Sequence, residues 1–142
     1  MQTQLSEESV VQREQLVSAA VYLIRLHPFG VGLGNFLPVL SHLPADLYPS
    51  NFVQPVHNIF LLITVETGVI GICFFLALLF VTYRQLSCQR NRSAFSLSVV
   101  LTLLLIMGLF DHYLLTVQQG QLLFSAIIGL CWSPFAKTQL PQ

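Results

Sequence analysis

Polar and apolar positions divide the chain into a polar start, an amphipathic stretch, a proline- and glycine-rich segment and three long apolar runs. Residues 1–12 are polar and acidic and read as a frayed end. From Glu14 to His27 the apolar residues Leu16, Val17, Ala20, Leu23 and Ile24 recur with helical spacing, and Pro28 closes the stretch. A helix over about 14–27 rises roughly 21 Å, too little to cross a bilayer, so an interfacial or packed helix is expected. The segment that follows contains Pro38, Pro44, Pro49 and Pro55, which excludes a regular helix or a central strand. Its aromatic and apolar content predicts a packed loop rather than a disordered one.

The first apolar run extends over about 56–83, with Ile59–Val81 as its core, and as a helix that core rises about 34 Å, enough to cross. A second covers Ala94–Phe110 and ends at Asp111-His112-Tyr113. The third covers about 114–132, but Gln118, Gln119 and Gln121 make its first part polar. Either that helix starts late and short, or the glutamines face protein or a wet cavity. The expected fold is therefore all-α and integral to a membrane. About three transmembrane helices follow an extracytoplasmic helix and a Pro/Gly-rich loop.

Composition agrees: 54% of the 142 residues are hydrophobic and 8% charged, against about a quarter charged in a soluble domain. Net charge is zero and no basic block suggests nucleic acid. Cys73, Cys88 and Cys131 lie far apart in or beside apolar runs, without metal-ligand or disulfide spacing, and are expected to be buried small hydrophobes. The N-terminus lacks the basic and apolar regions of a signal peptide.

Arg84, Arg90 and Arg92 lie between the first two runs with no acid among them, so residues 84–93 are expected on the cytoplasmic side, and Lys137 agrees. Residues 1–55 and the Asp111–Tyr113 turn then face outward. An outward segment of this length before the first span reads as the C-terminal portion of a longer multispan protein, or as a truncated reading frame. A short segment translocated by the first span is the alternative.

Candidate chemistry gathers at the outer end of the first span. Pro55 suits a first helical turn, with Gln54 or a neighbour as its cap. His57 then sits in that turn, where the helix dipole favours the neutral imidazole that a general base requires. Free N–H groups at the same helix end favour an anion such as phosphate. An interfacial histidine satisfied by water or backbone is the plainer alternative. On a regular helix Thr64, Gly68 and Gly71 share a face with His57, and the glycines would let another helix approach closely. Glu66 falls on the opposite face and would be paired or protonated, with Gln118, Gln119, Gln121 or His112 as possible neighbours. Arg13 and Arg25 both suit phosphate, and both also read as solvated or headgroup-facing arginines. Gly30, Gly32 and Gly34 have the wrong spacing and context for a dinucleotide loop, and a turn that returns the chain toward the membrane accounts for them better. Asp111 reads as a helix-end or turn residue, with His112 beside it.

Taken in order, these residues resemble the C-terminal half of the O-antigen ligase and O-antigen polymerase family of bacterial membrane glycosyltransferases. Arg13 precedes a helix that ends in Pro28, Gly30, Gly32, Gly34 and Phe36. A variable loop follows. Then come His57-Asn58 and, after nine residues, Gly68 and Gly71, with Glu66 two positions before the first glycine. Ile72 stands where family members often have Thr or Val. The resemblance covers about residues 13–83 and extends to the last two spans only in general character. It implies transfer of a glycan from undecaprenyl diphosphate to an acceptor sugar hydroxyl, outside the bacterial cytoplasmic (inner) membrane. By carry-over His57 is the candidate general base, and Arg13 binds the diphosphate and stabilises its departing charge. Asn58 and Arg25 join the substrate-binding set, and Pro28 and the five glycines form a structural motif. No cofactor and no metal is implied, and no Asp-x-Asp or His/Cys cluster is present. The partners are the lipid-linked donor, the glycan acceptor, membrane lipid and the family's N-terminal spans, which are missing here. The rival expectation is a non-catalytic membrane protein, a truncated remnant or packing subunit in which these residues are structural.

Overall fold

The computed structural model describes residues 2–44, 48, 54–89 and 91–133. Pro49, Arg90 and Lys137 lie outside the described residues. The described residues are helical or irregular: α1 (Gln2–Leu26), α2 (Phe36–Leu40), α3 (Ile59–Cys88), α4 (Arg92–Phe110), α5 (Tyr113–Thr116) and α6 (Gln118–Trp132). Two of them, α3 and α4, are long and apolar enough to cross a membrane. The third apolar run forms a short helix that includes Gln118, Gln119 and Gln121, with Gln119 on the wall of a cavity. The run is broken at Val117, and α6 rises only about 22 Å.

The chain forms two compact units, Met1–Ile72 and Cys73–Gln142. In the first, Leu16, Ala19, Ala20 and Leu23 form the buried stripe of α1 and share a core with Phe36, Leu40, Tyr48, Val56, Leu62 and Val65. The stripe recurs at steps of three and four residues, which is what seats a helix on a core. α1 begins at Gln2, well before the residue-14 start that apolar periodicity suggested. The proline-rich segment does hold a short helix, α2, contrary to expectation. Pro38 is tolerated there because it lies in the first turn, where an amide has no helical partner.

In the second unit α4 starts at Asn91, whose side chain accepts from the Ala94 amide (2.7 Å), and it packs against α6. Hydrogen bonds tie the later part of α3 to these helices. Trp132 Nε1 donates to Thr82 Oγ1 (3.1 Å), and the Tyr83 and Thr102 hydroxyls pair at 2.7 Å. A cavity of about 460 Å³ lies among α4, α5 and α6, with Met107, Asp111, Tyr113, Gln119 and Leu123 among its walls. Of the three cysteines only Cys131 is buried. Cys73 and Cys88 are exposed, which corrects the expectation of buried roles. Both sit on the long apolar α3, where an exposed small hydrophobe is no anomaly.

Candidate functional site

Within the first unit the site is built from the start of α3. Asn58 caps the helix: its Oδ1 accepts from the amides of Phe60 (2.9 Å) and Leu61 (3.0 Å), and its carbonyl accepts from Leu62 N–H (3.0 Å). His57 therefore stands one residue outside the helix, not in its first turn. The first-turn amides expected to attract an anion are in part already used by Asn58. The Asn58 amide donates back to the Val56 carbonyl (2.8 Å), which closes a three-residue turn with His57 at its apex. Among the described residues no non-glycine residue has a positive φ, so this is the common inverse γ-turn. Val56 and Ile59, fully buried on either side, pin the turn, and the imidazole between them is half-buried.

Eleven residues on, α3 is not a regular helix. Gly68 takes φ 71° and ψ −171°, a conformation essentially restricted to glycine. The break frees the carbonyls of Val65 and Glu66, and the glycine loop satisfies them. Val31 N–H donates to Val65 O (2.8 Å), and Gly32 N–H donates to Glu66 O (2.9 Å). In return Val69 N–H donates to Pro28 O (2.9 Å). Backbone meets backbone so closely that a Cβ on Gly30 would lie 2.6 Å from the Gly68 nitrogen. One on Gly68 would lie 2.6 Å from Phe29 Cα. The expected stripe of Gly68 and Gly71 for a neighbouring helix is thus replaced by something else. Gly68 is the break, the loop is its partner, and Gly71 faces the side chain of Thr67 on its own helix. Sequence reasoning missed this interlock. The signal available was a helix-weakening glycine in mid-span, downstream of a charge-free glycine loop.

The core contacts also separate the two arginines. At 100° per residue Arg13 lies about 20° from Ala20, one turn before the buried stripe begins, whereas Arg25 lies about 180° from Leu16. Arg13 therefore lies nearer than Arg25 to the buried face of α1, at its margin. Both side chains are exposed. Glu66 is half-buried.

Asp111 and His112 belong to the second unit. Asp111 Oδ1 accepts from Tyr113 N–H (3.2 Å), a turn role as expected, and buried His112 pairs through Nδ1 with Thr116 Oγ1 (2.7 Å). Thr116 Oγ1 donates to the His112 carbonyl (3.1 Å), so the ring N–H is assigned to Nδ1. Among the described residues no group of three or more His, Cys, Asp or Glu side chains is arranged to hold a metal ion.

The fold and site define a class: an all-helical membrane protein in which α3, long and apolar enough to cross, carries a packed N-terminal helix and a glycine loop locked into its backbone. The chain belongs to the O-antigen ligase family, whose sequence pattern matches residues 1–76. That match takes in the whole first unit, from α1 through the glycine loop and His57 to beyond the Gly68 break. No curated protein and no solved structure matches the chain.

Proposed function

We propose that this chain carries the acceptor-activating part of an O-antigen ligase-like or polymerase-like glycosyltransferase, acting outside the bacterial inner membrane with residues 84–93 cytoplasmic. Undecaprenyl diphosphate is the donor carrier in this reading. His57 takes the proton of an acceptor sugar hydroxyl, and the oxygen attacks the anomeric carbon of the donor glycan. The bond from that carbon to the diphosphate oxygen breaks, and the guanidinium of Arg13 stabilises the charge that the diphosphate carries away. Arg13 is favoured over Arg25 because it lies nearer the buried face of α1. Asn58 serves as the cap that orients the turn, and any contact of its amide with substrate is secondary.

The observation that carries this reading is the placement of His57 at the apex of a pinned turn, inside the stretch that matches the O-antigen ligase family. The test is complementation of a ligase- or polymerase-deficient strain with the full-length protein and its His57→Ala and Arg13→Ala variants. Loss of glycan transfer at normal membrane abundance is expected for both. A His57→Ala protein that transfers glycan as well as its parent ends the base assignment and favours a structural role for these residues.

A further inference from the structure

The surface of α3 changes character at the Gly68 break. Before it, Ile59, Leu62, Val65 and Gly68 itself recur every third residue as a stripe buried in the first unit. After it, Val69, Ile70, Phe74, Leu76, Leu78, Phe80 and Val81 are all exposed, Phe74 by 73%. From Val69 to Tyr83 the helix has 15 uncharged residues and rises about 22 Å, and the long side chain of exposed Arg84 extends that reach by snorkelling to the far interface.

The glycine loop is fastened at this same point and presents apolar side chains beside it. Phe29, whose backbone lies against Gly68, and Leu33, which follows the amide bonded to Glu66, are each 79% exposed. No Asp, Glu, Lys or Arg occurs from His27 to Leu43. Much of the loop's backbone on either side of these side chains is hydrogen-bonded within the protein. Beyond the three bonds to α3, Gly30 N–H donates to His27 O (2.9 Å), Asn35 N–H to Gly32 O (3.1 Å) and Asn35 Nδ2 to Val31 O (3.2 Å). Irregular backbone is tolerated near hydrocarbon only when its polar groups are satisfied in this way.

We propose that the glycine loop is a membrane-surface anchor: Phe29 and Leu33 dip into the outer lipid leaflet, and the bilayer begins at Gly68 rather than at His57. The occupant of this apolar tip is lipid, because the tip is fastened at the break itself, where the exposed apolar residues Val69 and Ile70 of the spanning helix begin. The first part of α3, about 13 Å of helix before the break, then stands clear of the hydrocarbon and carries His57 beyond its outer end. The proposal rests on α3 as a spanning helix and not on the transfer chemistry.

The test places single tryptophans at Phe29→Trp, Leu33→Trp and, as a reference near the start of α3, Gln54→Trp, each with Trp132→Phe, in vesicles whose lipids carry a nitroxide near the headgroup end of the acyl chain. Quenching at 29 and 33 is expected to exceed that at 54 by about twofold or more, with blue-shifted emission at both. Equal quenching at the three positions, or water-like emission at 29 and 33, overturns the proposal. A second measurement leaves Trp132 in place and substitutes photoreactive benzoylphenylalanine for Phe29 in the full chain. Cross-linking to lipid is expected, and cross-linking to polypeptide in its place overturns the lipid assignment. Either outcome is independent of whether His57→Ala abolishes transfer.

Discussion

At the scale of single residues, the side chains beside His57 do more for its position than the helix dipole does. Asn58 satisfies two amides at once, so Asn58→Ala is expected to destabilise the first unit by about 1 kcal/mol, while Asn58→Asp, which keeps the acceptor, loses little. Thermal unfolding in detergent measures both. Tyr48 supplies a pH-dependent counterpart. It is buried in the same core, and burial pushes its phenol above the ordinary value of 10.0, with a weaker opposing pull from the Gln54 backbone. The folded state thus holds the phenolic proton more tightly than the unfolded chain. This contribution is complete below about pH 10 and is lost as pH rises through the folded value. Tyr48→Phe is expected to flatten the fall in stability above pH 10. A fall that is unchanged in the phenylalanine variant assigns it to another group.

At the scale of elements, the decisive feature is that the glycine loop and α3 complete each other's backbone hydrogen bonds. Gly30→Ala and Gly68→Ala should each cost about 2–4 kcal/mol, since each Cβ meets backbone rather than a movable side chain and each glycine sits at positive φ. Their effects should be less than additive, because the first substitution already parts the same pair of segments. Gly129→Ala, with open space around its Cβ and a helical backbone, is the control and should stabilise slightly, by up to about 1 kcal/mol. Faster hydrogen exchange at the amides of Val31, Gly32 and Val69 in the Gly68→Ala protein would show the interlock opening. Unchanged protection at all three would show that the strain is absorbed elsewhere. The elements were legible in unequal measure. The periodicity of α1 and the long apolar runs of α3 and α4 were plain in the chain, because burial and lipid contact both act through side-chain type. The break at Gly68 was not, because it depends on hydrogen bonds to a segment some 36 residues away in sequence, and no local pattern encodes a partner.

At the scale of the whole molecule, orientation is the property that joins the site to its substrate. With the native cysteines replaced by alanine, Ser41→Cys is expected to react with an impermeant thiol reagent from outside the cell. Asn91→Cys should react only after permeabilisation. The reverse labelling would place His57 on the cytoplasmic side and rule out an outward-facing acceptor. Ser41 is exposed, whereas Asn91 caps α4, so Asn91→Cys is expected to cost about 1 kcal/mol of stability without reversing the orientation.

The chain by itself determined that this is an all-helical membrane protein with a glycine loop and a histidine ahead of its first span, because hydrophobicity, charge bias and turn residues act locally. It also held, in order and spacing, the residues that mark the O-antigen ligase family. The structure decided that His57 stands outside the helix, which Asn58 caps, and which face of α1 packs on the core. It alone decided, too, that Gly68 is a break filled by the loop and not a groove for another helix. The physical reason is plainest at Gly68, whose partner groups lie in a segment far away in the sequence, and only the folded chain brings those groups together.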